Sequence, residues 1–198
     1  LFDAEESGVV GARAFMAAQP VPKDSIQLNV NLDMVGHSES GELWAAGAGR
    51  RPVLRPLLEG IAAGAPVKLR LGHDQPGSPG QQDWTFDSDH APFHSAGIPF
   101  VYFGVEDHKD YHQPTDDPET ITPAFFGRAV ETIHRALRAL DARLPLLPLE
   151  QERCRNRDAA FPAALGLSFN TPFSIIAWVR HSIPAMLWVQ DTTPPSTL

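Results

Sequence analysis

The chain has 198 residues, enough for one domain with a full core. Its 24 Asp and Glu against 16 Lys and Arg leave a formal charge of -8, which argues against a surface built for nucleic acid or an anionic membrane. The single cysteine, Cys154, excludes an internal disulfide and a thiolate zinc site, and no run of about 18 apolar residues is present to span a membrane.

Leu1-Phe2 reads as the end of a strand, followed by Asp3-Ala4-Glu5-Glu6-Ser7-Gly8 as a turn. Residues 8–18 have helical spacing, with Val9, Val10, Ala14 and Phe15 able to share a face, and Pro20 and Pro22 end the helix. From 26 to 36, Leu28, Val30, Leu32 and Met34 alternate with Asn29, Asn31 and Asp33, which is strand period; Gly36 closes it, so Asp33 lies near the carboxyl end. A short strand is predicted at 42–46, a helix at 51–63 on Val53, Leu57, Leu58 and Ile61, and a strand at 67–71. A loop rich in Gly, Pro and Gln follows, and Ser88 is expected to cap a short helix ending at Ser95. The apolar run 98–103 suits a central parallel strand covered on both faces, and the loop after Gly104 holds Glu106, Asp107, His108, Asp110, Tyr111 and His112. The clearest helix is 122–143, striped by Phe126, Val130, Ile133, Leu137 and Leu140, with His134 off the stripe. Beyond it Pro162, Pro172, Pro184, Pro194 and Pro195 interrupt every candidate element. The chain therefore divides into 1–147, the main fold, and 148–198, a proline-rich tail expected to be irregular or non-native. The strand that should carry Leu1-Phe2 has almost no length, so the domain is expected to be incomplete at its N-terminal side.

In an open α/β sheet, ligands bind beyond the carboxyl ends of the strands. Adjacent Glu5 and Glu6 repel one another unless a cation offsets them, although an isolated Glu-Glu is more often a solvated acidic turn. Three strand ends carry metal-type ligands: Glu6, Asp33 and His112. Carboxylate oxygen and imidazole nitrogen are what zinc takes where no thiolate is offered.

Five stretches in one order carry a resemblance: Phe2-Asp3-Ala4-Glu5-Glu6-Ser7-Gly8, Asn31-Leu32-Asp33-Met34-Val35-Gly36, Ser88-Asp89-His90-Ala91-Pro92-Phe93, Gly97-Ile98-Pro99, and Tyr111-His112-Gln113-Pro114-Thr115-Asp116-Asp117. Over roughly residues 1–143 the chain resembles the M28 zinc metallopeptidases, mostly aminopeptidases. The resemblance implies a three-layer α/β/α sandwich with a mostly parallel mixed sheet, two zinc ions and a peptide substrate. It also assigns roles: Glu5 as general base, Glu6 and His112 as ligands of one zinc, Asp33 as ligand of the other, and Tyr111 as a donor to the oxyanion. Asp89 and His90 match a motif near the site and take a supporting role. The family pattern also includes a His and a bridging Asp before the Glu-Glu stretch, and nothing in this sequence corresponds to them. His37, His73, His94 and His108 match no ligand motif. Members are often exported, which implies a periplasmic or extracellular location.

Two alternatives stand beside this reading. Glutaminyl cyclases, single-zinc acyltransferases on the same fold, share the Asp89-His90-Ala91-Pro92-Phe93 pattern but typically carry Trp where this chain has Tyr111. A non-catalytic binding module on the same fold would be expected to lose ligands in place, whereas Glu5, Glu6, Asp33 and His112 all remain.

Overall fold

The computed structural model describes residues 2–144 and, as backbone, 174–179. Five strands form one sheet: β1 (Ile26–Leu32), β2 (Glu42–Ala46), β3 (Lys68–Leu71), β4 (Phe100–Gly104) and β5 (Ser174–Val179). Their order is β3-β2-β4-β1-β5. β1 is parallel to β4 and β5, β2 is parallel to β3, and β2 runs antiparallel to β4. Among the described residues, four α-helices accompany them: α1 (Val10–Ala18), α2 (Arg55–Ala63), α3 (Ala91–Ser95) and α4 (Pro123–Arg143).

The period-2 patterns decide which face each side chain takes. Leu28, Val30 and Leu32 of β1, Leu43 and Ala45 of β2, and Val101 and Phe103 of β4 pack with Leu54, Leu58, Phe125, Ala129, Ile133 and Leu140, so α2 and α4 form one outer layer. The opposite face carries Trp44, Ala46, Phe100 and Tyr102, covered by Trp84. Beside it Phe93 of α3 packs with Val9 and Ala12 at α1 and with Ile26 and Ile98. This is the expected α/β sandwich: a mixed sheet between two helical layers.

Several local expectations differ from the structure, each for an identifiable reason. β4 is buried at all five positions, but only its β1 side is parallel. A continuous apolar run encodes burial on both faces, not strand direction. On α4 the buried seam is Phe125, Ala129, Thr132, Ile133, Ala136 and Leu140, while Val130 is 46% exposed. Phe126 and Leu137 pack only at the margin. Choosing the large apolar residues rotated the predicted face, because the alanines are what let α4 approach the sheet. His134 is exposed, as expected. Phe2 is irregular rather than part of a strand; its ring packs against Phe15 and Phe93 with centroids 5.5 and 5.8 Å apart, and Leu1 lies outside the described residues. Within the span set apart by its prolines, Ser174–Val179 forms β5 alongside β1 rather than irregular chain. Those six residues contain no proline and five are apolar, a composition suited to a strand. The rest of 148–198 lies outside the described residues.

Candidate active site

A cleft of about 420 Å³ opens beyond the carboxyl ends of β1 and β4, the position where open α/β sheets bind ligands. Asp33 and Met34 come from the end of β1, and Val105 and Asp107 from the end of β4. Glu5 and Glu6 enter from the loop before α1; Gln82, Trp84 and Asp87 from the loop before α3; Tyr111, His112, Gln113 and Asp116 from the loop after β4. All five residues given direct catalytic or ligand roles, Glu5, Glu6, Asp33, Tyr111 and His112, therefore line one cleft.

The acidic loop is held by its own backbone. Glu5 O accepts from Gly8 N and Val9 N at 2.8 and 2.7 Å, Ala4 O accepts from Val10 N at 3.1 Å, and Asp3 O accepts from Gly11 N at 2.9 Å. Gly11 makes the last contact possible. A Cβ there would stand 2.5 Å from Asp3 N and 2.6 Å from Asp3 O. Gly→Ala inside a helix ordinarily stabilises by up to about 1 kcal/mol. Gly11→Ala is expected to do the reverse and lower stability by ~1–3 kcal/mol in urea unfolding, because it forces the first turn of α1 off the loop. A gain in stability would show that the loop is not anchored there.

Ala4, Met34 and His112 adopt left-handed backbone conformations, with φ of 55°, 58° and 56°. Such conformations cost about 1–3 kcal/mol for residues with a side chain and concentrate where function demands a particular geometry. Here one lies in the acidic loop, one follows Asp33, and one is His112 itself.

Glu6 and His112 meet directly, with Oε2 and Nε2 3.0 Å apart and both side chains about half exposed. Tyr111 stacks on His112 at 3.9 Å between ring centroids. Burial raises the Tyr111 phenol above its usual range, and Asp107, Glu6, Asp33 and Glu5 add to the effect. Tyr102, on the cleft wall, is raised well above the usual range by burial, then by Asp33, Tyr111, Glu5 and Asp87. Both hydroxyls therefore stay protonated at neutral pH and remain hydrogen-bond donors. Asp87 is also raised, by burial and by Asp83 and Asp107. Carboxylates dominate the cleft: Glu5, Glu6, Asp33, Asp87, Asp107 and Asp116 line it, and no Lys or Arg does among the described residues.

Asp33 continues the β1 ladder through a bond from its N–H to Phe103 O at 3.1 Å and is 7% exposed. Ser88 donates from Oγ to Asp33 Oδ2 at 2.8 Å. This differs from the predicted helix cap: α3 begins at Ala91 with no side-chain cap, and Ser88 Oγ, which a cap would use as an acceptor, accepts from Asn31 Nδ2 instead. Asn31 Nδ2 lies 2.9 Å from Ser88 Oγ and 3.2 Å from His90 Nδ1, and His90 Nε2 lies 2.9 Å from Trp84 O.

A profile of Peptidase family M28 matches residues 1–137. The chain belongs to Peptidase family M28. Among solved structures it is similar to BSAP, a zinc aminopeptidase from Bacillus subtilis. One BSAP structure gives a TM-score of 0.54 at 28% identity over 69% of this chain and 33% of that one. A second gives 0.52 at 27% identity over 70% and 34%. An aminopeptidase from Aneurinibacillus sp. strain AM-1 gives 0.50 at 26% identity over 68% and 32%. The chain thus spans about a third of the length of these solved relatives. A comparison with curated proteins gave no match.

Within this M28 chain, not every predicted residue reaches the cleft. Asp89 is 5% exposed and His90 is fully buried, and neither lines it. His90 stacks on both Phe100 and Tyr102, with centroids 4.5 and 4.8 Å away. His37, His73, His94 and His108 also lie outside the cleft lining. His73 stacks on Trp84 at 3.5 Å and its Nε2 stands 2.9 Å from Glu106 Oε1, off the line of a hydrogen bond. His37 and His108 meet edge to face at 5.2 Å. Among the described residues, no group of three or more His, Cys, Asp or Glu closes around a single point. The sequence reading missed Asn31 and Ser88, although Asn31 shares the strand face of Asp33 by period, as well as Tyr102, Asp87, Asp107 and Asp116.

Proposed function

We propose that this chain supplies a large part of a zinc-dependent peptidase site that removes N-terminal residues from peptides. The observation that carries the reading is the meeting of Glu5, Glu6, Asp33, Tyr111 and His112 in one cleft, with Glu6 and His112 in contact at 3.0 Å. The Glu6–His112 pair suits zinc in chemistry and spacing. Tetrahedral zinc with oxygen and nitrogen ligands at about 2.0–2.1 Å holds them about 3.3 Å apart, so the pair needs little movement to share an ion. Asp33 would serve a second ion on the β1 side of the cleft.

Zinc, when bound, lowers the pKa of a water and polarises a carbonyl. This chain's own residues would do the rest. Glu5 takes the proton of the attacking water and returns it to the amine as the C–N bond breaks. Tyr111, kept protonated by burial and the surrounding carboxylates, donates to the carbonyl oxygen as it gains charge. The carboxylates lining the cleft favour a cationic α-amine, which supports removal of N-terminal residues over internal cleavage. An exported location follows from the family habit and is part of the same proposal.

The residues present supply three of the five protein ligands that the family resemblance implies. Catalytic zinc ordinarily has three protein ligands. The 198-residue chain is therefore expected to bind less than one zinc per molecule after dialysis and to release no p-nitroaniline from aminoacyl p-nitroanilides. Glu6→Gln and His112→Ala should each remove the residual binding in a zinc titration. Unchanged zinc affinity in both variants would overturn the site. Two firmly held ions per chain would overturn the ligand count.

A further inference from the structure

We propose that Ser88 and Asn31, backed by His90, are positioning residues that fix the Asp33 carboxylate for a metal ion in the cleft. The proposal rests on the reading of Asp33 as a zinc ligand and adds the residues that orient it. Its basis is a buried chain of hydrogen bonds in which every direction is forced.

The chain starts at Trp84 O, which can only accept. His90 Nε2, 2.9 Å away, must carry the hydrogen. A neutral ring protonated at Nε2 presents Nδ1 as an acceptor, and Asn31 Nδ2 faces it at 3.2 Å. An amide nitrogen can only donate, so the pair is matched. The opposite amide orientation would set Asn31 Oδ1 against the Nδ1 lone pair, two acceptors in contact. The other Asn31 amide hydrogen goes to Ser88 Oγ at 2.9 Å. Having accepted there, the Ser88 hydroxyl is left to direct its one hydrogen at Asp33 Oδ2, 2.8 Å away.

Nothing in this chain can easily turn. Asn31 is 2% exposed, Ser88 1%, His90 0% and Asp33 7%, so water does not compete for the donors. The His90 ring is clamped by its stacking on Phe100 and Tyr102. Asn31 and Asp33 project from β1, Ser88 and Trp84 from the loop before α3, and the clamping rings from β4. The orientation of one carboxylate at the cleft is thereby tied to three separate segments. A hydroxyl donating to a carboxylate is among the stronger hydrogen bonds. Groups that orient a metal ligand in this way typically change metal affinity by about 10–100-fold when removed.

The test is zinc affinity of an M28 domain with its full ligand set, in which the ion on Asp33 is also held, measured by competition with a chromophoric chelator, together with the ring ¹⁵N resonances of His90 in the metal-free 198-residue chain. Ser88→Ala is expected to weaken zinc by about 10–100-fold, and Ser88→Thr, which keeps the hydroxyl, to restore most of it. Asn31→Asp keeps the shape but removes both donors and lets the Ser88 hydroxyl turn away from Asp33, so it should weaken zinc to a similar degree. His90 should be the Nε2–H tautomer. Asp33→Asn separates the two layers of the argument: if it leaves zinc affinity unchanged, Asp33 is not a ligand and the underlying reading fails. If Asp33→Asn loses zinc while folded Ser88→Ala and Asn31→Asp do not, the positioning proposal fails alone. Should Ser88→Ala not fold by circular dichroism, the tautomer still decides, because an Nδ1–H ring at His90 reverses the chain and overturns the proposal.

Discussion

Glu5→Gln is expected to lower peptide hydrolysis by a factor of ~10²–10⁴ while leaving zinc content unchanged. Glutamine keeps the shape of the side chain in the loop before α1 but cannot accept the proton of the attacking water. Nothing in the proposed role makes Glu5 a ligand, so metal should be retained. Glu6→Gln is expected to behave differently and lose both zinc and rate. It replaces an anionic oxygen by an amide and deprives His112 Nε2 of the carboxylate 3.0 Å away. The two effects separate by metal analysis and turnover measured on the same preparations. The rate comparison needs an M28 domain with its full ligand set; the metal comparison can be made on the 198-residue chain. Equal zinc loss in both variants would mean that the roles of the adjacent glutamates are misassigned.

Folding stability is expected to fall by ~3 kcal/mol between pH 6.5 and pH 4 through His90 alone. Burial is the largest influence on this ring and pushes its pKa from 6.5 down to about 4. The bond to Trp84 O opposes the shift, and the nearby His94 adds to it. Above pH 6.5 the ring is neutral in folded and unfolded chains alike, and its contribution is fully present. Below 6.5 the unfolded chain takes up the proton and the folded chain does not, so stability drains until the folded pKa is reached. Carboxylates titrate in part of the same range, so the comparison that isolates His90 is with His90→Gln. That variant removes the titration while keeping an acceptor for Asn31 and a donor for Trp84 O. Urea unfolding at pH 7, 6 and 5 should show the variant losing about 1.4 kcal/mol less per pH unit below 6.5 than the parent chain. Parallel curves would mean that His90 titrates in the fold as it does in the unfolded chain, and a parent chain that gains on the variant as pH falls would mean that the ring is held protonated in the fold.

His90 also illustrates how far local pattern reaches. The M28 resemblance of Ser88-Asp89-His90-Ala91-Pro92-Phe93 implies a position near the site, and local pattern predicts Ser88 as a helix cap. In the structure neither His90 nor Ser88 lines the cleft: Ser88 bonds the Asp33 carboxylate from the buried side, and Asn31 stands between Ser88 and His90. A capping signal reports only what a serine can do for its own helix. It carries no information about Asn31, 57 residues earlier, whose amide takes the lone pair a cap would use, or about the Asp33 carboxylate that receives the hydroxyl hydrogen. The α4 face shows the same limit. The stripe through Val130 satisfies helical spacing, yet the sheet selects the neighbouring seam through Ala129 and Ala136, because close approach favours small side chains.

Residue type and period were enough to set the α/β architecture, the burial of β1 and β4, and the position of Asp33 at a strand end. They were enough because alternation and apolar runs state directly which side of an element avoids water. The same information marked Glu6, Asp33 and His112 as metal-type donors at strand ends, whereas the roles expected of Glu5 and Tyr111 rest on the M28 resemblance alone. Period could not state that Glu6 Oε2 meets His112 Nε2, that Ser88 donates to Asp33, or that β2 runs against β4. Hydrogen bonds and ligand contacts are short and directional, and their partners here lie on segments far apart in the chain. Only the folding of those segments onto one sheet brings the atoms within 3 Å of one another.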